Sequence, residues 1–275
     1  LTMVKRFFKE KKCVAGMIML LLLILVSVFC EQIAPYEPDA GIAAEHLMPP
    51  SSEHLFGQDE YGRDVLSRII YGTPLALKTV FLGALIELTI GVVLGLVSGY
   101  CGKAVDGVIT FIGDVIWSLP GIVIAMTIVM LLGRSLNHVI LALALAGWPR
   151  YQRTVRSKTF MLKNQPFVET GKSFGEKPWS ILFLYILPSV LPSVLVMASI
   201  SMPGFITSSA TLSFLGMGAQ PPSPDWGLAI GRSASVIFRA PWLVIFPCLA
   251  LIYTIITFSL LGEGIRNLID PNMKN

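Results

Sequence analysis

Long apolar runs alternate with short polar segments along the chain. The first, Val14–Cys30, holds 17 residues without a charge. As a helix it would span about 25 Å, enough for a slightly short membrane crossing. Five further runs follow: Leu77–Tyr100, Val108–Leu132, Val139–Trp148, Trp179–Phe205 and Pro241–Leu261. The charges inside them are isolated: Lys78 and Glu87 in the second run, Asp114 in the third. Backbone amides cannot stay unpaired in lipid, so each run predicts a helix. The runs lack the period-two alternation of a membrane barrel. The pattern therefore predicts an all-α membrane protein with six transmembrane helices. Val139–Trp148 is short and extends at one end or the other. Pro188 and Pro192 mark a candidate break in the fifth run.

Composition agrees. Hydrophobic residues make up 54% of the chain and charged residues 14%, against about a quarter charged in soluble domains. The main solvent is therefore a lipid bilayer. The apolar spans form one continuous membrane domain. Residues 1–76 read as a basic N-terminal segment, the first transmembrane helix and an extracytoplasmic loop. Residues 77–275 read as a five-helix core with a cytoplasmic loop at about 150–178. The basic start and apolar first run have the outline of a signal peptide, but no small-x-small cleavage site follows, so a retained helix is expected.

Charge placement sets the orientation. With both termini in the cytoplasm, fifteen Lys and Arg lie inside and six lie outside or at outer edges. The positive-inside rule therefore predicts an N-in, C-in chain. The basic residues adjoin apolar spans and form no aromatic-basic platform, so no nucleic acid is expected as a partner. Cys13, Cys30, Cys101 and Cys248 are scattered without zinc spacing. His46, His54 and His138 also lack tight ligand spacing, so no metal site is expected. No nucleophile–base–acid set is fixed by spacing, which argues against a membrane enzyme. Glu87 and Asp114 are ionisable groups inside apolar spans, where they either line a pathway or latch helices together. An ion-coupled secondary transporter or channel is the alternative of another class. It would call for broken helices and inverted repeats, and no second half mirrors Pro188 and Pro192.

The most informative stretch is FVETGKSFGEKPWSILFLYILPSVLP, residues 167–192. Gly171-Lys172-Ser173 has the ending of a phosphate-binding loop. The first glycine of that loop is replaced by Pro166, which offers no N–H to a phosphate. No ATP site is expected here. The stretch lies in the longest cytoplasmic segment, Arg150–Lys177, beside Phe160, Met161, Phe167 and Phe174. Glu169 suits the first turn of a short helix, and Gly175 is placed to end it. Gly171 and Ser173 are small enough to allow another surface close to the backbone. Together they predict a short helix presented to a partner protein.

This stretch resembles the coupling motif of permease subunits of ATP-binding-cassette importers: E-A-A, three residues, G, nine residues, then I-x-L-P. Glu169, Gly175 and Leu187-Pro188 match, while Thr170 and Gly171 replace the alanines and Tyr185 the isoleucine. Three other segments are similar to the dipeptide, oligopeptide and nickel permeases: HLFGQDEYGRDVLSRIIYG (54–72), TLSFLGMGAQPPSPDWG (211–227) and LLGEGIRNLIDP (260–271). The chain is similar to the second permease of such systems, the one whose basic N-terminus leads into helix one and a sizeable outer loop. The resemblance implies the type I importer permease fold and a place in the bacterial or archaeal plasma membrane. It implies partners: a second permease subunit, two cytoplasmic ATP-binding-cassette ATPase subunits and an extracytoplasmic substrate-binding protein. ATP and Mg would be bound by the partner ATPases, leaving this chain without cofactor or catalysis. Glu169, Thr170, Gly171, Ser173, Phe174 and Gly175 would couple it to the ATPases. The implied cargo is a short peptide, with nickel or a metal chelate as the alternative.

Overall fold

A computed structural model describes residue 8, residues 10–41 and residues 46–269. Lys5, Arg6, Lys9 and Lys274 of the charge count, Glu45 and Asp270-Pro271 lie outside the described residues. The described residues are helical, with two isolated bridges, Gly41 to Arg63 and Gln58 to Asp64, in place of any sheet. The helices are α1 (Lys11–Val28), the short α2 (Cys30–Ile33), α3 (Val65–Cys101), α4 (Lys103–Trp117), α5 (Gly121–Leu132), α6 (Leu136–Leu162), α7 (Pro166–Ser173), α8 (Pro178–Phe214), α9 (Trp226–Ser233) and α10 (Trp242–Ile269).

Each apolar run falls in a helix, but the boundaries differ from the expected ones. The run Leu77–Tyr100 belongs to a helix that begins at Val65, so residue 77 is no boundary. Asp64 starts this helix by accepting a hydrogen bond from the Ser67 amide at 2.7 Å. Its early residues Val65, Ser67, Ile70 and Thr73 are buried, Val65 in a cluster with Leu47, Phe56, Ala240 and Leu243. At 37 residues α3 is about 55 Å long, well beyond the ~30 Å hydrocarbon core. The run Val108–Leu132 is not one straight crossing. It is two helices, α4 and α5, meeting at 94° across Ser118–Pro120. Pro120 disfavours a helical Leu119 and cannot continue the hydrogen-bond ladder.

The fifth run is not broken at its prolines. α8 passes through Pro188 and Pro192, preceded by a π-helical stretch at Ile181–Ile186. The Pro188 ring would crowd the carbonyl of Leu184, one turn earlier. The widened turn just before it absorbs that conflict. Most of Arg150–Lys177 is helix rather than loop. α6 runs on to Leu162, and its charged second half excludes it from the helices apolar enough to cross a membrane. Four helices pass that test by length and composition, or five with α4–α5 taken as one span.

The most extensive helix contact joins α3 to α6. Gly91, Gly95 and Gly99 recur every four residues along that seam. A Cβ on Gly95 would sit 2.6 Å from Val155 Cβ and 2.9 Å from the Gln152 carbonyl oxygen. Only glycine allows the backbones so close, and dispersion contacts replace the missing hydrophobic drive in lipid. Gln152 adds a buried hydrogen bond to Ser98 Oγ at 3.1 Å.

The two ends of the bundle are distinct. At one end Lys12 on α1 pairs with Glu263 on α10 at 2.5 Å, and Asn267 donates to Glu10. The starts of α1 and the ends of α10 therefore share a side. At the other end Arg68 donates to the carbonyls of Pro222 and Ser223, and the Trp226 indole donates to Ile69 O at 3.1 Å. Arg232 reaches Tyr61 there as well.

Candidate functional site

α7 begins with Pro166 at its first position, where the missing N–H costs nothing. Glu169 lies in the first turn, and Phe174 is the last half-helical residue. Gly175 follows with φ of +78°, while its amide donates to Lys172 O and the Glu176 amide to Gly171 O. That pair of bonds is a glycine-terminated helix end, which a side chain with a Cβ would strain. The Thr170 and Ser173 hydroxyls bond back to Pro166 O and Glu169 O.

The helix has two faces. Val168 and Gly171 are buried. Val168 joins a core cluster with Leu96 on α3, Tyr151 and Val155 on α6, and Ile181, Ile186 and Val190 on α8. Gly171 lies under the Tyr185 ring, whose atoms would stand 3.4 Å from a Cβ there. The close approach expected at Gly171 is thus made by this chain's own helix, at the residue that departs from the I-x-L-P pattern. Lys172 is not simply solvated: its ammonium donates to Lys163 O at 3.2 Å and lies over the Tyr100 ring. On the other face Glu169, Ser173 and Gly175 are exposed, with Phe167, Phe174 (84% exposed), Phe160, Met161 and Trp179 around them. Such a patch on a polar end of a membrane protein marks an interaction surface.

A second feature lies deeper. Glu87, in the middle of α3, is only 4% exposed. Its carboxyl lies against Gly147 on α6, where any Cβ would collide with it. It lines a cavity of about 370 Å³ shared with Trp117, Leu119, Arg150, Ser201 and Ser208 among others. The α4–α5 elbow forms one wall, so the unexpected bend is what shapes this space. Ser201 Oγ is held by the Tyr151 hydroxyl at 2.7 Å. Asp114 does not reach the cavity. It is exposed and pairs with Arg153 at 2.7 Å, while Asp106 pairs with Arg156, so both tie α4 to α6. Arg150, Ser201 and Ser208 were not legible as cavity residues, since the cavity depends on a bend no apolar run reveals.

The fold agrees with what the chain is similar to. Residues 91–275 match the family described as binding-protein-dependent transport system inner membrane component. Residues 2–50 match the N-terminal TM domain of oligopeptide transport permease C. The chain is 37% identical to the glutathione transport system permease protein GsiD of Pectobacterium atrosepticum, over 98% of this chain and 90% of that protein. It is 36% identical to the dipeptide transport system permease protein DppC of Alkalihalophilus pseudofirmus, over 98% and 89%. In structure it is similar to a chain of the inward-facing MetNI methionine ABC transporter. That likeness has a TM-score of 0.58 at 17% identity and covers 74% of this chain and 97% of that one. With a family match over most of its length and near-full-length relatives, the chain belongs to the inner-membrane permease subunits of ATP-binding-cassette importers.

Proposed function

We propose that this permease forms half of a translocation pore for short peptides, with six crossings and both termini in the cytoplasm. The crossings are α1, α3, the bent pair α4–α5, the apolar first half of α6, α8 and α10. Fifteen basic residues on one side and the shared side of the α1 start and α10 end support this topology. Glu169, Thr170, Gly171, Ser173, Phe174 and Gly175 make the coupling helix, docking on an ATP-binding-cassette ATPase. ATP and Mg bind on two such partners. A second permease completes the pore, and an extracytoplasmic binding protein delivers cargo.

The observation that carries the proposal is the two-faced α7. Its Val168 and Gly171 are locked into the core of α3, α6 and α8, while Phe167 and Phe174 face outward. A push on the outer face is thereby passed to the long helices. Different docking in two states of the ATPases is what shifts the pore equilibrium. The cargo rests on the relatives' names, glutathione and dipeptide, and on the cavity's chemistry. One carboxylate and serine hydroxyls offer hard oxygen, not the imidazole and thiolate donors that suit nickel.

The test is reconstitution. Proteoliposomes holding the permeases and ATPases, with the binding protein outside, should take up a labelled tripeptide only with ATP. Ionophores that collapse ion gradients should leave uptake intact, and the permease purified alone should bind no ATP. Saturable ATP binding by this chain alone, or ATP-independent uptake driven by an ion gradient, would refute the proposal.

A further inference from the structure

We propose that the cavity between α3, α6, α8 and the α4–α5 elbow binds a zwitterion: Glu87 takes the free ammonium of a peptide and Arg150 its carboxylate. The proposal rests on the reading of this chain as a peptide-importer permease and adds a ligand site within it.

Glu87 is 96% buried, and no described side chain gives its carboxylate a hydrogen bond or an ion pair. A carboxylate removed from water without a partner is costly, so a membrane protein retains one where a ligand or a function requires it. Arg150 lines the same cavity and is the charged group whose field reaches Glu87, yet the two form no ion pair. The Arg150 guanidinium likewise pairs with no described carboxylate, whereas its neighbours Arg153 and Arg156 are tied to Asp114 and Asp106. Two opposite charges, each unpaired, thus face one space of about 370 Å³. That volume is in the range of small-ligand sites.

The walls keep the space open and polar where a backbone needs it. Gly147 gives the Glu87 carboxyl room, and Gly204 leaves open space where a Cβ would stand. Ser208 offers a hydroxyl to peptide amides, Ser201 Oγ, already bonded to Tyr151 and Ala198 O, adds a polar wall, and Trp117 supplies an apolar face. An anion alone would leave the buried Glu87 uncompensated, whereas Arg150 is exposed and hydrated, and a carboxylate on the same ligand adds a charge-assisted contact there. A peptide with free ends satisfies both, a lone metal cation satisfies Glu87 only, and a neutral sugar satisfies neither.

The test uses the assembled importer complex in nanodiscs, without binding protein and with native cysteines removed. A cysteine placed at Ser208 reports occupancy by its protection from a maleimide. Three probes are titrated: trialanine, N-acetyl-trialanine and trialanine amide. Trialanine should protect, and blocking either end should raise the half-protecting concentration at least about tenfold, as expected for loss of a charge-assisted contact. Glu87→Gln should weaken trialanine at least about tenfold yet leave N-acetyl-trialanine unchanged. Arg150→Gln should weaken trialanine and spare the amide. Equal protection by free and acetylated peptide in the native complex overturns the proposal without any variant. So does unchanged trialanine protection in Glu87→Gln, or no protection at all. If the native complex, reconstituted in proteoliposomes with its binding protein, still imports trialanine with ATP in those cases, the site fails and the peptide importer stands. If it imports none, the cargo assignment fails as well.

Discussion

Replacing Gly175 separates the folding of the coupling helix from its docking. Its φ of +78° places it in the left-handed region, and a Cβ there meets nothing within 4 Å. A substitution thus costs backbone strain alone, about 1–2 kcal/mol for most residues and less for Asn or Asp. Gly175→Asn should insert normally and couple at near-native rate. Gly175→Asp adds a negative charge at the end of α7, worth about 0.3–1 kcal/mol against the helix dipole. It adds far more if the surface docks, since an unpaired ion at an interface carries a desolvation cost of several kcal/mol. At about 3 kcal/mol, ATPase affinity falls about a hundredfold relative to Gly175→Asn. Lys172→Ala loses an exposed hydrogen bond to Lys163 O and the contact over the Tyr100 ring, the hydrogen bond being worth about 0.5–1.5 kcal/mol, or about tenfold. The assay measures ATPase association with nanodisc-embedded permease pairs carrying each variant, then ATP hydrolysis, and peptide uptake in proteoliposomes with the binding protein outside. Equal association and uptake for Gly175→Asp and Gly175→Asn would show that this surface does not dock.

Two other predictions are independent of docking. Gly95→Leu at the α3–α6 seam forces apart helices whose atoms leave 2.6 Å for a Cβ. Overpacking of about 1–3 kcal/mol or more should lower the thermal midpoint of the purified permease by about 5 °C, read by size-exclusion chromatography after heating; an unchanged midpoint would sink the seam argument. Single cysteines at exposed Glu176 and Gln220, in a background without native thiols, should differ in intact cells. An impermeant maleimide should label Gln220→Cys only, and outside labelling of Glu176→Cys would reverse the topology.

Much of this protein was legible from local rules. Uninterrupted apolar runs must become helices in lipid, because no water is present to satisfy their backbones. The end of α7 was equally readable: a glycine after a short polar helix is a stop signal whatever surrounds it, and Gly175 adopts the left-handed conformation. What tertiary structure decided depends on contacts distant in sequence. The start of α3 at Val65 lacks a membrane-grade pattern, since its early turns are buried by α9 and α10 rather than by lipid. The continuity of α8 through two prolines required a π-helical turn, a local distortion that surrounding packing sustains. The bend between α4 and α5 folds one apolar run back into a wall, and hydropathy is blind to direction. For the same reason Glu87 and Asp114 looked alike as charges in apolar spans. Only the packing of α3, α4 and α6 gave Asp114 a partner in Arg153 and left Glu87 facing an open cavity.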